Sequence, residues 1–132
     1  MYFEEALRAE LNAIDDLTDK VFPLNATEGT KAPYLIYVSS EGVQDKSLQG
    51  YLSNKEVDCE INILHESYAG MKDLTKSVLS KILTFQGRSI GGIGTLQKGG
   101  IFIQNVTYEK PVEIYEQEVD LYRSVTEFKF RF

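Results

Sequence analysis

Glu56-Val57-Asp58-Cys59-Glu60-Ile61-Asn62-Ile63-Leu64 alternates polar and apolar residues, and the stretch that follows it changes period. In the first stretch Val57, Cys59, Ile61 and Ile63 share one parity, and Glu56, Asp58, Glu60 and Asn62 share the other. A period of two predicts a strand with one buried face and one acidic, wet face. From Tyr68 the apolar residues Met71, Leu74, Val78, Leu79, Ile82 and Leu83 fall three or four apart, the spacing of an amphipathic helix. Ser67 suits its N-cap, and Gly87 follows its last apolar turn as a stop. A strand therefore runs straight into a helix that can pack back on the same sheet.

Upstream, Phe3, Ala6, Leu7, Leu11, Ile14 and Leu17 mark a first amphipathic helix over about Tyr2 to Asp19, with Glu4 and Glu5 at the positive end of its dipole. Leu24 to Ala32 reads as a loop. Pro33-Tyr34-Leu35-Ile36-Tyr37-Val38 is too short for a helix and rich in β-formers, so it reads as a strand covered on both faces. Ser39 to Asn54 is a long polar connection, either a contact arm or a solvent hairpin loop.

Downstream, Gly91, Gly92 and Gly94 follow a helix, whereas a phosphate loop follows a strand and opens a helix. Turns and a hairpin through Lys98-Gly99-Gly100 are expected instead. Ile101 to Tyr108 reads as a strand, broken by Pro111, and Glu116 to Phe132 as a long last strand. In that strand Val119, Leu121 and Val125 share one parity, and Tyr122, Phe128, Phe130 and Phe132 the other. One straight strand cannot turn both sets into one core. Either a bulge lies between about Tyr122 and Glu127, or the aromatic set is left for a neighbouring subunit. The expected architecture is a single-domain α+β two-layer sandwich over residues 1–132. Its mixed sheet has about five strands, two helices pack on one face, and the element order is α-β-β-α-β-β-β.

Composition narrows the function. The chain has 132 residues, enough for one ordinary domain. A net charge of −6 opposes nucleic-acid binding, which draws on surplus Lys and Arg. The one cysteine, Cys59, makes neither a disulfide framework nor a metal knuckle and reads as a small buried hydrophobe. The one histidine, His65, stands at the strand-to-helix junction with parity opposite to Cys59, so the two form no dyad on a strand. Asp58 and Glu60 lack the further ligands that a metal site needs. No cofactor, no metal and no catalytic residue is expected. No run reaches the roughly 18 apolar residues of a membrane span. The acidic, amphipathic N-terminus is unlike a signal peptide, so a cytosolic place of synthesis and assembly is expected.

Taken together, the first helix, the Ala32-Pro33-Tyr34-Leu35-Ile36-Tyr37 opening, the Val57-Cys59-Ile61-Ile63 strand entering the Tyr68–Leu83 helix, and Glu116-Gln117-Glu118-Val119-Asp120-Leu121-Tyr122-Arg123 followed by Phe128, Phe130 and Phe132 resemble the tail-terminator, or tail-completion, proteins of long-tailed bacteriophages. These are also called head-to-tail joining proteins. The resemblance implies a non-enzymatic virion subunit, assembled in the cytoplasm of a bacterial host. It implies a hexameric ring of this chain that caps the tail tube, meets the tube protein and the head connector, and lets DNA through without binding it. Glu56, Asp58 and Glu60 would then line the channel, and Tyr122, Phe128, Phe130 and Phe132 would be interface aromatics. Alternatives are another neck or tail component, or an α+β regulatory domain that binds a small ligand.

Overall fold

In the computed structural model, which describes residues 2–40, 42–91 and 100–132, a twisted seven-stranded sheet carries both helices on one face. The strands are β1 (Val21–Pro23), β2 (Tyr34–Ser39), β3 (Val43–Ser47), β4 (Gly50–His65), β7 (Asn105–Tyr108), β8 (Val112–Glu116) and β9 (Leu121–Arg131). Their order is β1-β2-β4-β9-β7, with β3 also on β4 and β8 also on β9. Only β1 and β2 run parallel, which makes the sheet mixed. The α+β class and the two-helix layer are as the sequence predicts. The strand count is higher because short strands and an exposed hairpin lack a hydrophobic signature.

The helices are α1 (Phe3–Asn12) and α2 (Tyr68–Leu83). The sequence periodicity places α2 correctly: Met71, Leu74, Val78 and Ile82 are buried on its inner face. The Ser67 hydroxyl accepts from the Gly70 N–H at 3.0 Å and satisfies one of the free donors of the first turn. Each fully buried aliphatic side chain in that stripe contributes about 1.5–3 kcal/mol of transfer free energy. The first helix is shorter than its apolar pattern. After Asn12 the chain leaves the helix, and the Asn12 side chain accepts from the Asp19 N–H at 2.6 Å. A single 3-10 turn at Asp15–Leu17 still delivers Leu17 to the core.

One core lies between helices and sheet, built from Phe3, Leu7 and Leu11 of α1, the inner face of α2, Val57, Cys59, Ile61 and Ile63 of β4, and Phe128 and Phe130 of β9. Beyond α2 the chain enters not a parallel neighbour of β4 but β5 (Arg88–Ile90), which pairs antiparallel with β6 (Ile101–Ile103) in a second small sheet. No crossover to a parallel strand is formed there. Ile90 and Ile103 close one side of the core. Most of the glycine-rich stretch, including the expected hairpin through Lys98-Gly99-Gly100, lies outside the described residues.

The last strand resolves its parity problem without a bulge. The β4–β9 register runs unbroken from Glu56 opposite Arg131 to His65 opposite Tyr122. Val119 is in the turn before the strand, so it does not count toward the pattern. Ser124, Thr126, Phe128 and Phe130 face the core, while Val125 faces outward across from Val112 of β8.

Candidate assembly surfaces

Ser39 to Asn54 is an arm rather than an irregular loop. β2 and β3 lie on the same side of β4, and the register passes from Ser39 opposite Cys59 to Val43 opposite Glu56, one extra residue on the β2–β3 side. Gly42 sits in this bulge with φ +89°, and a β-carbon there would meet Val57 Cγ2 at 2.7 Å and the Glu56 carbonyl oxygen at 2.9 Å. Past Lys55, which exchanges backbone hydrogen bonds with Phe132, β4 keeps β3 as its one strand partner among the described residues. The arm is thus two-stranded. Its turn joins Ser47 to Gly50 and holds Leu48 fully exposed.

The sheet face away from the helices carries Glu56, Asp58 and Glu60. It is not a bare wall of carboxylates. Arg131 stands opposite Glu56, and Lys129 opposite Asp58. Lys129 Nζ lies 3.5 Å from Glu56 and 4.0 Å from Asp58, and Arg131 Nη1 lies 4.0 Å from Glu56. Only Glu60 meets a like charge, Glu127. Such solvated pairs contribute little to stability, but they set the sign of the local field. The sequence pattern of β4 alone could not show this, because the cations come from β9.

Further along the same face, Asn62 is fully buried. Arg123 covers it: Nε and Nη2 donate to Asn62 Oδ1 at 3.0 and 2.7 Å, and Nη1 donates to Glu116 at 3.1 Å. Asn62 Nδ2 donates to Glu60 at 3.0 Å. A shallow hollow of about 580 Å³ opens between β2 and β7, floored by Glu60 and Glu127.

The aromatic set divides. Phe128 and Phe130 are 2% and 0% exposed, stack on each other at 5.8 Å between ring centroids, and belong to the subunit's own core. They are therefore not free for a neighbour. The expectation of a leftover aromatic row is corrected by the register: their parity is that of Val57 and Cys59. Phe132 is half-buried against Phe3, with the rings nearly parallel at 5.1 Å. Tyr122 is half-buried between Tyr68 and Tyr115. No periodicity in the sequence marks this neighbourhood, since it joins α2 to β8, where the Tyr68 hydroxyl also donates to Glu113 at 2.9 Å.

His65 and Cys59 have local roles. The His65 Nδ1 accepts from the Ser67 N–H at 3.1 Å, and its ring packs where Gly70 has no side chain. Cys59 is buried, and burial, with Glu4 and Glu60 adding, pushes its thiol up to about 12. Among the described residues no cluster of three or more His, Cys, Asp or Glu is arranged to hold a metal ion, and no helix is long and apolar enough to cross a membrane.

The elements define an α+β subunit with one large sheet, a small two-stranded sheet and a two-stranded arm. No family profile and no curated protein matches the chain. Among solved structures, a chain from the virion of a native gene transfer agent particle shares this fold, with a TM-score of 0.68 over 98% of this chain and 92% of its own at 15% identity. A second solved chain superposes with a TM-score of 0.50 at 10% identity, covering 99% of this chain and 96% of its own. At these identities the likeness is one of fold.

Proposed function

We propose that this chain is a structural subunit of a phage or prophage virion, and that it caps the tail tube as a ring, ends tube polymerisation and offers a surface to the head connector. The observation that carries the reading is the fold shared, almost end to end, with a chain of a virion particle. The resemblance to tail terminators in the stretches quoted above supports the finer assignment within that class. The projecting arm is consistent with it, because a two-stranded hairpin is marginal in water and gains from contact with a second surface.

In the ring, the face with Glu56, Asp58 and Glu60 is proposed to border the DNA channel. The cross-strand cations refine the physical picture. DNA would meet carboxylates interleaved with Lys129 and Arg131 rather than a uniformly repulsive wall. Cations already neutralised by neighbouring carboxylates displace few counterions from the DNA phosphates, so DNA can pass without a lasting contact. Electron microscopy of tail tubes mixed with the protein tests the reading. A ring at one tube end supports it, and bare tubes contradict it.

A further inference from the structure

A closed ring needs two different patches on each subunit, meeting head to tail. The burial of Phe128 and Phe130 leaves that pair to be found elsewhere. Resting on the ring reading, we infer that the β3–β4 arm of one copy docks on the β8–β9 hairpin of the next, with Leu48 seated against Val112 and Ile114.

Three observations point to this pairing. First, each patch is apolar and open. Leu48 is 108% exposed at the arm tip, and Val112 and Ile114 are 56% and 43% exposed on an edge strand whose one partner is β9. An unpaired apolar edge of this kind is normally shielded, and nothing among the described residues shields it. Second, the charges are complementary. The arm, from Val43 to Lys55, carries Lys46 and Lys55 against Asp45, whereas β8, β9 and their turn carry Glu113, Glu116, Glu118, Asp120 and Glu127 against Arg123, Lys129 and Arg131, so a net positive arm meets a net negative hairpin. Two copies of the arm, or two copies of the hairpin, would gain no such match, so the contact is heterologous. Third, the patches lie on opposite sides of the sheet: β3 is on the β2 side of β4, and β8 is on the far side of β9. A contact between opposite sides continues from copy to copy and closes when the rotation allows.

Two single variants and their mixture provide the test, read by sedimentation velocity at rising protein concentration and by microscopy on tail tubes. Leu48→Asp removes the arm tip and Ile114→Asp removes the patch, both at exposed positions, so circular dichroism should show wild-type folding. Each variant alone should remain monomeric where the wild type associates. Mixed in equal amounts they should form dimers and nothing larger, because one copy retains a sound arm and the other a sound patch. A disulfide between Leu48→Cys of one copy and Ile114→Cys of another gives a direct readout, since native Cys59 is buried. Variants that associate or form rings as the wild type does would overturn the inference and leave the ring reading standing. A wild type that is monomeric at every concentration and leaves tubes bare would overturn both.

Discussion

Glu10 sits where α1, α2 and β5 meet, and it shows how the helical layer is held to the small sheet. Arg88 Nη1 and Nη2 donate to its two oxygens at 3.0 and 3.4 Å, and Lys81 Nζ lies 3.4 Å away. Burial raises the Glu10 pKa, but the hydrogen bonds and charges of Arg88 and Lys81 outweigh it and hold the carboxyl below its ordinary value. A carboxyl lowered on folding adds stability above its unfolded pKa, about 4.3, and loses it as pH falls through the folded value. Glu10→Gln should therefore cost on the order of 1 kcal/mol at pH 7 in urea unfolding, with the gap closing as pH falls below about 4. Arg123 offers a second test. Arg123→Leu strips the buried Asn62 Oδ1 of its donors and should cost about 1–3 kcal/mol, and Arg123→Lys should recover little because an ammonium cannot supply the forked pair of donors. Thermal unfolding of the two variants checks this. Neither contact was legible in the sequence, because each joins residues more than sixty positions apart.

At the level of elements, legibility followed burial. The α2 helix and the core half of β4 each bury one face, so their periods stand out in the sequence. Among the described residues the arm pairs with no other strand beyond Lys55, so Ser39 to Asn54 shows no alternation and reads as a connection. β1 is three residues long, too short for any period. β9 misled for a different reason: it has apolar residues on both faces, Phe128 and Phe130 inward and Val125 outward, and Val119 belongs to the preceding turn. Gly42 sits in the bulge between body and arm. Gly42→Ala places a methyl group at positive φ against Val57 and the Glu56 carbonyl, and should cost more than about 1 kcal/mol. Hydrogen exchange should then show loss of protection in the arm before the β4–β9 pairs, which lie in the core. Uniform loss across β4 would show that arm and body unfold together.

For the whole molecule, the sequence conveyed the α+β class and the two-helix layer, while the assembly surfaces depend on which strands become neighbours. The acidic face expected from Glu56, Asp58 and Glu60 is threaded with Lys129 and Arg131, and the interface aromatics Phe128 and Phe130 are core. What is left for assembly is an apolar-tipped arm, an exposed edge hairpin and a fold shared with a virion chain. The proposal of a tube-capping ring is tested most directly by electron microscopy of tail tubes polymerised with and without the protein. One ring of this chain is expected at a single end of each tube, and tubes should stop lengthening once capped. Tubes that keep growing with bare ends, or that carry the protein along their whole length, would contradict it.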